Sequence, residues 1–138
     1  MSERQKASGP LIGSRDSTVL SFSSDHPKLR RRASILKEHG FEVRSVSSPV
    51  QAQFEIEMGQ CGIFITCPVV SELVTADLVR IFRKYCPGGV VVLIGTPRRT
   101  TIEAEIALDE SDDPEIVAQA IADYLHRSDS ELADDQSA

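Results

Sequence analysis

The chain has 138 residues, with 15 lysines and arginines against 21 aspartates and glutamates, and so a net charge of −6. This length suits one domain with a sizeable core, and no run approaches the roughly 18 apolar residues of a membrane-spanning helix. Residues 70–138 carry 14 acids against 6 bases, and aromatic residues make up only 5% of the chain. Because nucleic-acid binding depends on a basic face and on aromatic stacking, we expect no nucleic-acid partner. The lack of a long apolar run likewise predicts that the chain has no membrane partner.

Composition divides the chain into a leader, one folded body and a tail. Residues 1–16 are polar and show no periodicity, which predicts a disordered leader. Residues 17–127 contain all of the periodic segments and are predicted to form a single domain. Residues 128–138 carry four acidic side chains and no basic one, which predicts a disordered, acidic tail.

The first predicted elements are a strand, a helix and a second strand. Residues 18–23 (TVLSFS) form a short, β-prone run that predicts a buried strand. In the next segment, Leu29, Ala33 and Leu36 recur at helical spacing and predict an amphipathic helix. Residues 41–46 (FEVRSV) alternate apolar and polar side chains, which is typical of a half-buried strand.

A second helix follows this strand directly. Ser48 is a favourable N-cap, and Pro49 suits the first helical position. Val50, Phe54 and Met58 then recur every four residues, a spacing typical of the apolar face of a helix, until a glycine ends the pattern.

The second half of the chain continues the alternation. Residues 61–67 (CGIFITC) and 88–95 (GGVVVLIG) are apolar on both faces, as the central strands of a parallel sheet are. Residues 76–85 predict the helix that connects them. Residues 103–108 alternate weakly and predict an edge strand, and Asp113 caps a last helix that is predicted to end near residue 127.

This order of elements predicts a doubly wound parallel sheet with helices on both faces, because parallel neighbours need crossover connections. In such sheets ligands bind beyond the carboxyl ends of the strands, near the point where the strand order reverses. None of the loops at that edge has the glycine-rich spacing of a dinucleotide site or a phosphate-binding loop.

Several pieces of the chain, in their order and spacing, resemble the receiver domains of two-component response regulators. These are SSDHPKLRRRASILKEHGFEVRSVSSPVQAQFEI, GIFITCPVV followed by DLVRIFRKYCPGGVVVLIGT, and the closing DPEIVAQAIADYL. The resemblance covers about residues 18–126 and implies a flavodoxin-like α/β fold with five parallel strands in the order 2-1-3-4-5. Only twelve residues lie between Thr96 and Asp109, so we expect the fourth helix of the family to be short or missing.

The resemblance also implies a Mg²⁺ ion held by carboxylates, an aspartate that accepts a phosphoryl group, and a Thr or Ser and a Lys that contact the phosphate. The matching positions here form a degenerate phosphorylation pocket, namely Ser24, Asp25, Thr66, Cys67, Gly95, Thr96, Asp109 and Glu110. Ser24 and Asp25 match the acidic pair, or Ser23 and Ser24 if the strand is shifted by one. Thr66 or Cys67 matches the phosphorylated aspartate. Gly95, with Thr96 beside it, matches the Thr or Ser, and Asp109–Glu110 matches the lysine.

At these positions the chain lacks most of the functional side chains of receivers. The sequence therefore predicts a pseudo-receiver that is not an enzyme and has no cofactor. Asp25 alone is a weak metal site, because Mg²⁺ is usually held by one or two carboxylates together with phosphate oxygens. An acid at the position of the lysine also opposes the charge of a phosphoryl group. Two alternatives stay open: a switch that responds to Mg²⁺ or phosphate through Asp25 and Thr66, and a small enzyme that uses Cys67.

We expect the chain to act by binding a protein, such as a histidine kinase or another signalling protein. The basic run Lys28, Arg30, Arg31 and Arg32 is predicted to lie on the exposed face of the first helix, which in receivers faces the kinase. Residues 103–115 carry seven acids on the face that receivers use for dimers, so we expect a monomer or a weak homodimer. The charged N-terminus and three cysteines without metal-ligand spacing predict a cytoplasmic location.

Overall fold

Strands and helices alternate along the part of the chain that the structure describes. The structure, a computed structural model, describes residues 15–67, 72–95, 102–109 and 113–137. The strands are β1 (Thr18–Phe22), β2 (Glu42–Val46), β3 (Ile63–Thr66), β4 (Val90–Ile94) and β5 (Ile106–Leu108). The helices are α1 (His26–Glu38), α2 (Pro49–Met58), α3 (Glu72–Tyr85) and α4 (Pro114–Ser137).

The five strands form one parallel sheet in the order β2-β1-β3-β4-β5. This order confirms the predicted flavodoxin-like architecture. The chain passes outward from β1 to β2 and then crosses back to β3, so the strand order reverses between β1 and β3. The described residues between β4 and β5, which are Gly95 and 102–105, contain no helix, as the short connection predicts.

Alternate side chains of the central strands point to opposite faces of the sheet and build two cores. On one face, Val19, Ile63 and Ile65 pack with side chains of α1 and α4. On the other face, Leu20 and Phe64 pack with side chains of α2 and α3. All five side chains are fully buried, because helices cover both faces of the sheet. Within the described ranges, no helix is both long and apolar enough to cross a membrane.

The caps of α2 follow the prediction, whereas its apolar stripe does not pack on the sheet. Ser48 Oγ accepts the N–H of Gln51 at 3.2 Å, and the helix ends at Gly59 with a φ of 71°. Ala52 and Ile56 are the side chains of α2 that are buried. The predicted stripe is exposed, and its members are Val50, Phe54 and Met58. The two stripes lie two residues apart, about 200° around the helix, so only one of them can face the sheet.

Two helices are longer than the sequence predicts. Helix α3 begins at Glu72 rather than at residue 76, and α4 continues to Ser137 rather than ending near residue 127. Residues 128–137 contain no glycine or proline, so nothing in the sequence stops the last helix there. Most of the segment predicted as a disordered tail is therefore a continuation of α4.

Strand β5 is shorter than predicted, because side-chain bonds replace part of its ladder. Of the predicted strand at residues 103–108, only 106–108 pair with β4. Glu105 Oε1 accepts the backbone N–H of Val91 at 2.7 Å, and its Oε2 accepts the Arg83 Nη1–H at 2.8 Å. Arg83 also donates to the carbonyl of Glu103 at 2.9 Å. The Glu105 carboxylate thus satisfies an N–H of β4 that β5 does not reach.

We expect Gly89→Ala to lower the free energy of unfolding by about 1–3 kcal/mol, the usual cost of overpacking a core. A Cβ at Gly89 would lie 2.5 Å from Phe82 Cζ and 3.0 Å from Cys86 Sγ. The Phe82 ring is 1% exposed and cannot swing into solvent. Urea denaturation measures the loss. Gly88→Ala is the matched control, since a Cβ there has nothing within 4 Å, and its stability should stay within about 0.5 kcal/mol of the parent. Equal stabilities of the two variants would contradict the prediction.

Candidate functional site at the carboxyl ends of the strands

The candidate site lies where the carboxyl ends of the parallel strands meet, beside the reversal of strand order between β1 and β3. Strand β1 ends at Phe22 and β3 ends at Thr66, and the two strands are hydrogen-bonded neighbours. Strand β4 ends beside them at Ile94. The carboxyl ends of these three strands therefore lie side by side, at the edge where ligands bind in sheets of this kind.

The loop after β1 uses its one carboxylate as a helix cap. Asp25 Oδ1 accepts the N–H of Lys28 at 3.0 Å, and the Asp25 N–H donates to Ser23 Oγ at 3.0 Å. Asp25 is therefore the N-cap of α1. Ser24 and Asp25 are both exposed. The only acid at the two positions that match the acidic pair is thus engaged with the backbone of α1.

The sequence interpretation is wrong about Arg32, because this side chain is buried rather than exposed. It is 8% exposed, and its Nη1–H donates to Ser21 Oγ at 3.0 Å. The three buried residues of α1 are Leu29, Arg32 and Leu36, which recur at i, i+3 and i+7 and so share the face that packs on the sheet. The same spacing was present in the sequence, but the basic run from Lys28 to Arg32 concealed it.

Arg32 brings a positive charge to the carboxyl ends of β1 and β3. Burial lowers the pKa of the Arg32 guanidinium, and electrostatic interaction with Cys67 and Asp25 partly offsets this effect. Arginine nonetheless stays protonated in proteins. The guanidinium is therefore a fixed internal cation near the carboxyl end of β1, whereas the sequence predicted Arg32 only as part of an exposed basic run.

The end of β3 presents a buried hydroxyl followed by a half-buried thiol. Thr66 is 1% exposed, and its Oγ1 has no hydrogen-bond partner among the described residues. Cys67 follows it and interacts electrostatically with Arg32. Neither side chain is a carboxylate, so the structure leaves open which of the two positions matches the phosphorylated aspartate.

The remaining predicted residues lie after β4 and β5. Gly95 adopts a φ of 76°, and its N–H donates to the carbonyl of Leu108 at 2.8 Å, which joins the ends of the two strands. Asp109 follows β5 and is exposed. Thr96 and Glu110 lie outside the described residues. Across the described ranges, no cluster of three or more His, Cys, Asp or Glu side chains could hold a metal ion.

We expect iodoacetamide to alkylate Cys67 far faster than Cys61 or Cys86 in the native protein at pH 8. Cys61 and Cys86 are buried, whereas Cys67 is partly exposed. Burial also raises the pKa of Cys61 to about 11, so only about 0.1% of it is the reactive thiolate at this pH. Mass spectrometry of tryptic peptides gives the rate at each site, and all three rates should converge in urea. A rate at Cys61 that matches Cys67 before unfolding would contradict the assigned burial.

Comparison with known proteins identifies the fold. No protein-family model matches the sequence, and no curated protein matches it. The receiver domain protein (CheY-like) of Methanospirillum hungatei JF-1 superposes with a TM-score of 0.73 at 16% identity, covering 83% of this chain and 98% of its own. A response regulator from Thermotoga maritima gives 0.67 at 12% identity, with 77% and 94% covered. A response regulator receiver protein from Sinorhizobium medicae WSM419 gives 0.65 at 19% identity, with 79% and 94% covered. The chain therefore has the fold of response-regulator receiver domains.

Proposed function

We propose that this chain is a non-catalytic, receiver-like signalling module that binds a protein partner and does not undergo ordinary aspartyl phosphorylation. The observation that carries the proposal is the buried guanidinium of Arg32, which occupies the carboxyl ends of β1 and β3 beside Asp25 and Cys67. This cation bonds to Ser21 Oγ in β1, the strand whose carboxyl end leads to the positions that match the acidic pair of receivers. The proposed location is the cytoplasm, and the proposed state is a monomer or a weak homodimer.

The residues present do not fit a Mg²⁺ ion. Mg²⁺ prefers oxygen ligands in octahedral geometry and is usually held by one or two carboxylates together with phosphate oxygens. The candidate donors are the hydroxyls of Ser23, Ser24 and Thr66, the carboxylate of Asp25 and the thiol of Cys67. The one carboxylate caps α1, and the nearby Arg32 would repel a divalent cation. This set of side chains therefore does not support phosphoryl transfer through a bound metal ion.

Without a carboxylate at the end of β3, the site also lacks the group that forms an acyl phosphate. A phosphothreonine at Thr66 would need its hydroxyl to reach a phosphoryl donor, but this side chain is 1% exposed. Asp109 adds a negative charge after β5, where a receiver has a lysine. These features support a protein whose binding surface does not change on phosphorylation. We therefore propose that the chain acts by binding its partner directly.

One observation favours a second candidate, a switch that responds to a small anion. The Thr66 hydroxyl is buried without a described hydrogen-bond partner, and such groups are rare in folded proteins. A local opening at the end of β3 would let this hydroxyl, together with the Arg32 charge, receive an oxyanion such as phosphate without any covalent step. The third candidate, an enzyme that uses Cys67, requires a thiolate at neutral pH, which the pH dependence of the Cys67 alkylation rate measures.

The deciding experiment is an amide NMR titration of the full chain with Mg²⁺ and then with beryllofluoride, which mimics a phosphoryl group. We expect no saturable shifts at Asp25, Thr66 and Cys67. Inorganic phosphate, added alone, tests the anion switch at the same amides. Saturable shifts with Mg²⁺ and beryllofluoride would overturn the proposal, and saturable shifts with phosphate alone would replace it with the second candidate.

A further inference from the structure

A groove of about 550 Å³ runs between α1 and β2 and reaches the first turn of α2 at Gln51. We call it the α1–β2 groove. Its polar lining residues are His26, Arg30, Ser34, Lys37, Ser45, Ser47 and Gln51. Strand β2 is the outer strand of the sheet, so the groove is open along that side.

The cations of the groove lack a counter-charge within the described residues. Arg30 and Lys37 are exposed and form no ion pair among those residues, and no Asp or Glu lines the groove. The other exposed or half-buried arginines of α1, β2 and α3 each pair with a carboxylate, and these are Arg31, Arg44, Arg80 and Arg83. Two unpaired cations in one groove of a chain with a net charge of −6 point to an acidic occupant.

The spacing of the cations fits an extended peptide better than a single small anion. Arg30 and Lys37 are seven residues apart on α1, which is about 10.5 Å along the helix axis. An extended segment rises about 3.3 Å per residue, so carboxylates three residues apart would reach both cations. The hydroxyls of Ser34, Ser45 and Ser47 lie between α1 and β2 and can bond to the backbone of such a segment.

We infer that the α1–β2 groove binds an acidic, extended segment of a partner protein, with Arg30 and Lys37 as its charge contacts. The inference rests on the proposed function only in that the chain acts by binding a protein. The inferred surface differs from the basic run that the sequence predicts. Arg31 pairs with Asp113, and Arg32 is buried. Arg30 remains as a charge contact, and Lys37, which lies outside that run, joins it in the groove.

The test measures the binding of a fluorescein-labelled peptide with Glu at every third position and Ser between, ten residues long, by fluorescence anisotropy at low salt. We expect the Arg30→Glu/Lys37→Glu variant of the full chain to bind at least tenfold more weakly. The matched control is Arg80→Glu/Lys84→Glu, which makes the same charge change on the exposed face of α3 and should stay within twofold of the parent. Circular dichroism confirms that both variants are folded, as exposed positions should allow. Equal losses in the two variants would overturn the inference in favour of non-specific charge.

Amide NMR with the same peptide locates the site. We expect saturable shifts at residues of the groove, such as Ser34 and Ser45, and none at Cys67. The failure of this inference is therefore distinguishable from that of the proposed function, whose titration with Mg²⁺ and beryllofluoride is followed at the carboxyl-end site. Inorganic phosphate that matches the peptide in affinity would overturn the inference in favour of a small-anion site. Amide shifts at the groove that grow with protein concentration in the absence of peptide would overturn the inference. They would indicate that a second copy of the chain occupies the groove.

Discussion

Replacing Phe64 by alanine should lower the free energy of unfolding by about 3–5 kcal/mol, the range for removing a buried aromatic ring. Phe64 lies in β3 at the middle of the sheet and is fully buried. Its ring centroid is 5.6 Å from that of Phe82 on α3, so its loss would empty the contact between this helix and the sheet. Urea denaturation followed by circular dichroism measures the change.

The matched control is the same substitution at Phe54. This side chain is 60% exposed on α2, and Phe54→Ala should change the free energy of unfolding by no more than about 0.5 kcal/mol. The comparison tests which stripe of α2 faces the sheet. If Phe54→Ala cost as much as Phe64→Ala, the sequence-based stripe of Val50, Phe54 and Met58 would be the buried one after all.

Arg32→Met should raise the free energy of unfolding by about 1–4 kcal/mol, as found when well-packed apolar side chains replace buried ionic groups. Burial lowers the pKa of Arg32, so folding opposes its charge. Methionine keeps much of the side-chain length and adapts its shape to the space. The Ser21 hydroxyl would lose its bond, which is why the Ser21→Ala/Arg32→Met variant should be the most stable of the series.

Ser21→Ala alone is the opposite control. It leaves the buried guanidinium without its Ser21 acceptor and should lower the free energy of unfolding by about 1–3 kcal/mol. Thermal and urea unfolding of the three variants give the comparison. A loss of stability in Arg32→Met would mean that the contacts of Arg32 outweigh its desolvation, and that this residue is part of the structural core.

A gain of stability in Arg32→Met would indicate a functional rather than a structural role for Arg32. Folded proteins break the rule against buried unpaired charge mainly at functional or strained sites. A buried cation retained at a cost, beside Asp25 and Cys67, would then be a functional part of the carboxyl-end site. The amide NMR titration of this variant with phosphate would show whether the anion response depends on Arg32.

The sequence alone determined the architecture, because hydrophobic periodicity and caps are local properties of the chain. The buried runs of β3 and β4 predicted central parallel strands, and Ser48 and Gly59 marked the ends of α2. The order of these elements, together with the resemblance, predicted the sheet order, which the structure and its solved neighbours confirm. The composition of the predicted pocket remains a prediction, since Thr96 and Glu110 lie outside the described residues.

Only the tertiary structure decided which side of each helix meets the sheet. In α2 both Ile56 and Phe54 belong to stripes of helical spacing, and the sheet buries the stripe that contains the small Ala52. In α1 the basic run contains a buried Arg32, an Arg31 paired with Asp113 just before α4, and an Arg30 that faces the groove. Sequence neighbours acquire such different surroundings because successive helical residues point about 100° apart, and only the packed partners determine what each direction contains.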